Sequence, residues 1–322
     1  MTEHSIYFPH LHILFKYVPK SFMIGNYRIA FYGIIIAVGI IVAELFVLHE
    51  AKRTGQDQET YLDLTIWGVI FGIIGARIYY VAFSWDYYSK HLNEIIKIHS
   101  GGMAIYGSVI AAILTCFVLC RIKKLQFWKV CDTACMGLLI GQIFGRWGNF
   151  MNREAFGEYT DSLFAMLVPL DAVNRPQDIT ENMMAHLVTQ NGIDCISVHP
   201  TFLYESLWNL GLFILLLFFR DRKKFEGQLF FLYMGLYGVG RFWIEGLRTD
   251  QLQVGDSGVA ISQVLGLVLF FASAAIIIIC LLLYREGNLP AMFRKGVSGQ
   301  AAKADIAPDE GVGKEAEEKP ED

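Results

Sequence analysis

Charge is what this chain has least of. Only 18% of its 322 residues are Asp, Glu, Lys or Arg, against 54% hydrophobic. A soluble domain of this length carries about 25% charge, so the soluble globular classes are set aside at once. The net charge of −4 offers no basic field for nucleic acid, and no such partner is expected. A secretory leader is not expected either. MTEHSIYFPHLHILFKYVPK lacks the basic start, short apolar core and small-residue cleavage site of one, and the first apolar block is expected to stay as an anchor. No internal repeat is visible, which removes the usual signature of repeat-built transporters. Cysteine is sparse and unpaired in pattern. Cys195 stands alone, while Cys116 with Cys120 and Cys131 with Cys135 are spaced i,i+4 near neighbouring span ends. Four thiolates for a metal can be drawn there, but small residues packing helix on helix account for them, and no metal is assigned.

What is abundant is apolar length. Seven blocks, near 29–48, 64–83, 103–120, 130–147, 202–219, 228–247 and 260–284, approach or exceed the ~20 residues that cross a bilayer. The expected fold class is all-α: a polytopic integral membrane protein of about seven transmembrane helices. Lys and Arg concentrate in alternate loops: Lys52 and Arg53; Arg121, Lys123, Lys124 and Lys129; Arg220, Arg222, Lys223 and Lys224; Arg285, Arg294 and Lys295. The positive-inside bias then places the N-terminus outside and the C-terminus in the cytoplasm. The expected organisation is an outward-facing segment 1–28, a seven-helix membrane domain 29–285 with an outer loop of about 148–201, and a cytoplasmic tail 286–322. From about 297 that tail is Ala, Glu, Lys, Gly and Pro without aromatics and reads as disordered.

The few charges inside the blocks are costly, and each is a functional candidate. With that orientation Tyr32, Arg77, Tyr106, Arg146, Tyr204, Glu205, Arg241 and Glu245 all fall toward the outer leaflet. Glu44 and Asp132 sit near the inner face, where helix-end effects suffice. A polar cleft opening toward the outer leaflet follows. In GLYGVGRFWIEGLRTD, Tyr237, Arg241 and Glu245 are spaced i, i+4, i+8, with Arg248 three further on, which keeps them on one helical face. An Arg241–Glu245 pair neutralising itself for insertion is the plain structural alternative. Against it stands Arg146, a second guanidinium at the same depth on another span. Two planar forks of donors suit a phosphate. GRWGNFMNREAFG, residues 145–157, supplies the surroundings: Gly148 and Gly157 to let the backbone turn, Asn149 and Asn152 as neutral donors and acceptors, Glu154 to orient an Arg or bind a hydroxyl. A polar helix end followed by an ordinary loop would also fit that stretch alone.

GRWGNFMNREAFG resembles the signature G-R-x-G-N-F-x-N-x-E-x-x-G of the prolipoprotein diacylglyceryl transferases of bacterial membranes at every fixed position. FYG at 31–33, GAR at 75–77, GGMAIYGS at 101–108, HPTFLYES at 199–206 and YGVGRFWIEGLR at 237–248 are similar to further family elements, in order, from about 26 to 285. The resemblance implies a seven-helix catalytic domain in the bacterial cytoplasmic membrane. It implies transfer of a diacylglyceryl group from phosphatidylglycerol to the lipobox cysteine of a lipoprotein precursor, with release of glycerol phosphate and without a cofactor. It implies Arg146 and Arg241 on the phosphate. Tyr32, Asn149, Glu154, Gly157, Tyr237 and Glu245 would shape the lipid site, with His199 beside the cleft; Arg77, Asn152 and Arg248 are taken as substrate contacts from the depth argument. One position departs: where well-known members carry a His, often proposed as the base, this chain has Tyr106. A Tyr hydroxyl, with ordinary pKa ~10, is a poor base at neutral pH. Electrostatic stabilisation by the two arginines therefore ranks above general-base help. The rival class is a transporter or flippase for an anionic lipid or solute, which would also put Arg and Glu inside a bundle.

Overall fold

The computed structural model describes residues 4–98, 101–251 and 258–296. Among the described residues, seven long helical rods alternate with short helices and two small sheets. The rods are α1 (Phe31–Arg53), α2 (Gln58–Phe83), α4 (Ile105–Ile122), α5 (Phe127–Asn152), α7 (Thr201–Phe219), α8 (Gln228–Glu245) and α9 (Ile261–Arg285), with short α3 (Trp85–Tyr88) and α6 (Glu181–Ala185) between them. Six of the rods, all but α8, are long and apolar enough to cross a membrane. The chain is a polytopic membrane protein. α8 is 18 residues long but carries Arg241 and Glu245, which dilute its apolar character.

The helices form where the apolar blocks predict, and their ends are set by polar details. Asp57 accepts the backbone N–H groups of Glu59 and Thr60 at 3.3 and 3.0 Å, so α2 starts at Gln58, six residues before the apolar block does. Asp132, buried on α5, accepts the N–H groups of Gly227 and Phe230, both at 2.9 Å. It thereby caps α8 from a neighbouring helix, the helix-end role expected for it. α1 lies on α5, α2 on α4, α5 on α7, and α8 on both α7 and α9. At the α8–α9 crossing a Cβ on Gly238 would stand 2.4 Å from the Gly266 carbonyl oxygen, so the two backbones touch. Cys116 and Cys120 lie in the apolar cluster of Val47, Ala51, Tyr61 and Val130, and Cys135 lies in a second one with Leu139 and Leu212.

The mostly helical fold carries small sheets that the sequence reading did not anticipate. The N-terminal segment and the loop after α5 fold together into an antiparallel sheet. Its strands are β1 (Ile6–Phe8), β2 (Ile13–Phe15), β5 (Met166–Pro169), β6 (Val188–Gln190) and β7 (Ile193–Val198), in the order β2-β1-β5-β7-β6. A separate hairpin, β3 (Ser21–Ile24) with β4 (Tyr27–Ala30), leads into α1. Ile6, Phe8, Met166, Val168, Ile196 and Val198 of the sheet pack with Phe150 and Phe202 at the adjoining ends of α5 and α7. These strands are three to six residues long, and β1 meets β5 far along the chain, Tyr7 opposite Leu167, a pairing that no local periodicity reports. Residues 286–296 are docked rather than loose: Gln126 donates to the carbonyls of Met292 and Arg294. The tail from 297 lies outside the described residues.

Candidate active site

The polar residues collect where α5 ends, α7 begins and α8 ends, directly beneath the sheet. Glu205, near the start of α7, is only 2% exposed and is the pivot. One of its oxygens meets Arg146 Nη2 at 2.7 Å and the other Arg241 Nη1 at 3.2 Å. Arg241 also reaches Glu245 at 2.5 Å, one turn on along α8, so the intrahelical pair considered from sequence does exist. A pair made only for neutralisation would leave Arg146 and Glu205 out of contact. Here one carboxylate draws guanidiniums from two other helices onto itself. Tyr237 sits one turn from Arg241, and Glu205, Arg241, Arg146 and Glu245 are the charges acting on its hydroxyl.

A neutral amide network extends this cluster toward the sheet. Arg146 Nη1 donates to Asn149 Oδ1 at 3.3 Å. Asn149 and Asn152 both donate to Glu154 Oε1 at 3.1 Å, and Asn174 donates to Glu154 Oε2 at 2.9 Å. The reason these residues converge is the way α5 stops. The helix runs through Gly148 to Asn152, and the chain turns at Arg153 and Ala155, both left-handed at φ 55° and 56°. Such a turn costs a side-chain-bearing residue roughly 1–2 kcal/mol. Arg153 offsets it by donating to the carbonyls of His4 and Val18, at 3.1 and 2.5 Å, from a buried position. Burial also pulls the Arg153 guanidinium below its ordinary pKa.

The glycines therefore do not serve as turns, as the sequence suggested. Gly148 is helical, and a Cβ there would lie 2.6 Å from the ring of Tyr32, at the start of α1. Gly157 bridges to Arg248, and a Cβ there would meet the Leu247 carbonyl oxygen at 2.7 Å and His199 Cβ at 2.8 Å. Both positions are glycine because another chain segment occupies the space. Gly157 N–H donates to the His199 carbonyl at 2.9 Å, and His199 Nδ1 lies 3.3 Å from the Tyr204 hydroxyl. Desolvation pushes the His199 imidazole below its usual pKa, the nearby Glu158 opposing only in part.

Arg248 continues the charge chain: its forked contact with Asp250 spans 2.8 and 2.7 Å, and Glu245 lies 3.6 Å away. Asp250 is in turn 3.8 Å from Arg175. The Arg248 fork keeps the Asp250 carboxyl below its ordinary range even though burial, the largest influence, works the other way.

Two expected members are elsewhere. Arg77 spends all five guanidinium donors on backbone carbonyls: Ile95, Gly101, Gly102, Glu94 and Lys97, at 2.6–3.4 Å. It also lies over the Tyr88 ring. With every donor engaged, Arg77 organises the loop between α3 and α4 and is removed from the substrate contacts. Tyr106, half-buried at the start of α4, faces the Tyr79 ring at 6.3 Å. Among the described residues its hydroxyl makes no hydrogen bond. Sequence reasoning put Glu205 in the outer polar layer but gave it no role at the site, and it passed over Asn174. Glu205 carried a signal, being a carboxylate inside an apolar span at the right depth; Asn174 carried none.

A sequence model of the family described as prolipoprotein diacylglyceryl transferase matches residues 19–279. A phosphatidylglycerol–prolipoprotein diacylglyceryl transferase of Listeria welshimeri is 44% identical over 286 residues, 88% of this chain and 96% of that protein. Proteins of the same name from Finegoldia magna and Geobacillus kaustophilus are each 43% identical, covering 78% and 80% of this chain and 91% and 90% of their own. With nearly the whole membrane bundle and the arginine cluster inside these matches, the chain belongs to the prolipoprotein diacylglyceryl transferase family.

Proposed function

We infer that this protein transfers the diacylglyceryl group of phosphatidylglycerol to a cysteine thiol of lipoprotein precursors, the first step of lipoprotein maturation. The observation that carries the mechanism is Glu205 holding Arg146 and Arg241 on one carboxylate. A carboxylate and a phosphate present similar pairs of oxygens to guanidinium forks. Two forks that converge on the first are therefore pre-set for the second. Each arginine has five donors and spends two on contacts within the protein, leaving donors for the lipid phosphate.

The reaction joins the thiol sulfur to the glyceryl carbon while the bond from that carbon to the phosphate oxygen breaks. The bonding pair leaves on the phosphate oxygen as glycerol phosphate, and the thiol proton passes to solvent or to that phosphate. Charge grows on the leaving phosphate, and fixed guanidiniums favour the transition state over the ground state. A free thiol of pKa ~8.5 is already partly ionised at neutral pH, and nearby Arg charge increases that fraction. Tyr32, Asn149, Asn152, Glu154 and Tyr237 line and brace the headgroup space, Gly157 and His199 form its edge, and Glu245 with Arg248 steadies Arg241. The thiol would come from the lipobox that ends a precursor's signal peptide.

In the same reading α8 is a seventh span, the sheet and the site lie at the outer leaflet of the bacterial cytoplasmic membrane, and the N-terminus is outside. Cys195 is fully buried in β7, with its thiol pushed up to about 11 by burial, so it is a poor topology reporter. Cysteines placed at Glu181 and Arg222, both exposed, serve instead. Outside label should reach the first and not the second; the reverse pattern inverts the orientation. For the activity, purified protein with phosphatidylglycerol and a lipobox peptide should give a thioether-lipidated peptide. Absence of lipidation by folded protein would refute the assignment.

A further inference from the structure

At the end of the bundle away from Glu205, two cavities of about 310 and 270 Å³ share Gln56 and Lys129. The first is bounded by the α1–α2 turn at Gly55–Asp57, by Tyr61, and by the chain from Lys124 to Val130 that opens α5. The second lies between α1, α5 and the α7–α8 loop. Every carboxylate on their walls already has hydrogen-bond donors within the protein. Glu50 is held by Arg53 at 2.6 Å and Arg220 at 2.9 Å. Asp132 is held by Lys223 and by the N–H groups that open α8. Glu226 pairs with Lys223, and Asp57 is spent capping α2.

Two cations are left over. Among the described residues neither the Lys124 nor the Lys129 ammonium makes a hydrogen bond or an ion pair, and both line the first cavity. α5 also begins there without a side-chain cap, because Gln126 gives its carboxamide to the carbonyls of Met292 and Arg294. First-turn N–H groups lacking an acceptor, beside two uncompensated lysines, favour an anion. The volumes lie at the lower end of ligand pockets, which suits a headgroup and excludes acyl chains.

We propose that these joined cavities form a second anion site, which takes a phosphate group on Lys129 with Lys124. The phosphate is either the headgroup of an anionic phospholipid in the adjoining leaflet or a free phosphate ester. The site is separate from the transfer cleft and stands whether or not that reading of the cleft does.

The test uses the full chain, wild type, Lys129→Gln and Lys129→Arg, with melting temperature as readout. One arm titrates inorganic phosphate into detergent-solubilised protein. The other compares nanodiscs of phosphatidylcholine with and without phosphatidic acid. Anions bound at the Arg146–Arg241 cleft affect all three proteins alike, so the difference between variants isolates the new site. One or both probes should raise the wild-type midpoint. Lys129→Gln should weaken the apparent affinity by about tenfold or more, and Lys129→Arg should keep most of it. A response to phosphatidic acid alone assigns the lipid headgroup; a response to inorganic phosphate alone assigns a free ester. Superimposable titrations of wild type and Lys129→Gln, or no wild-type response to either probe, would overturn the proposal.

Discussion

Glu50 and Glu205 make the same motif at opposite ends of one bundle. Each is 2% exposed and each holds two arginines: Arg53 and Arg220 for Glu50, Arg146 and Arg241 for Glu205. Their surroundings differ. Arg53 grips Glu50 through two nitrogens within one helical turn, and Asp221 takes its remaining terminal nitrogen at 2.5 Å. That cluster closes on itself and ties α1 to α7. Around Glu205 the arginines come from α5 and α8, and beyond them lie carboxamides rather than further counter-ions for Arg146. A buried carboxylate with two arginines is thus a clamp at one end and, in the proposed reading, an anion cradle at the other. Charge alone does not tell them apart; the next partner does, since Asp221 meets both arginines of Glu50 whereas Arg146 continues into carboxamides.

The largest way to break the comparison is to replace the forks. Arg146→Lys and Arg241→Lys should each lower kcat by about 10²-fold or more, since a point charge does not reproduce a bidentate contact. Near-normal turnover in both, at normal expression, would remove the arginines from the phosphate. Next come the two pivots. Glu205→Gln should cost activity by about tenfold or more through misplaced arginines. Glu50→Gln should instead lower the melting temperature, as breaking a buried pair costs about 3–5 kcal/mol, while turnover per folded molecule holds. Equal kinetic losses in both variants would erase the distinction between clamp and cradle.

Tyr106 sharpens the picture from outside the cluster. Tyr106→Phe should keep transfer within about threefold, because general-base catalysis contributes far more than that when present, and its pH–rate curve should parallel wild type. Abolished transfer at every pH in folded protein would give the hydroxyl a chemical role.

The smallest effect concerns His199. Its folded pKa lies below the ordinary value, so the unfolded chain binds the proton more readily. Stability is then complete above pH ~6.5 and falls as pH drops through the folded pKa. Thermal midpoints of wild type and His199→Gln should separate between pH 7.5 and 5, wild type losing more on acidification. Parallel curves would show the imidazole is not desolvated.

Much of the site was legible because the membrane makes polar residues conspicuous. Arg146, Arg241 and Glu245 stand out in apolar runs, and i,i+4 spacing already places Arg241 with Glu245 on one face. For Arg77 the same logic left the partners open. Depth in a span says that a charge needs partners but not which ones, and its partners turned out to be loop carbonyls. Gly148 was misread as a turn because its neighbour Tyr32 lies over a hundred residues away in sequence. The five-stranded sheet escaped for a similar reason: β1 meets β5 through contacts that no local pattern encodes.

The sequence by itself determined the membrane class, the apolar rods, the family and the residues rich enough in donors to hold a phosphate. The class and the rods follow from composition, run length and helical period, and the family from the resemblance of motifs such as GRWGNFMNREAFG; all are read along the chain. Only the tertiary structure decided that Glu205 is the pivot, that Arg77 is spent elsewhere and that Arg153 anchors the end of α5. It also decided that the two glycines yield space rather than turn the chain. Each of these depends on which helix lies beside which, and a side chain's partners are settled by that packing rather than by its neighbours along the chain.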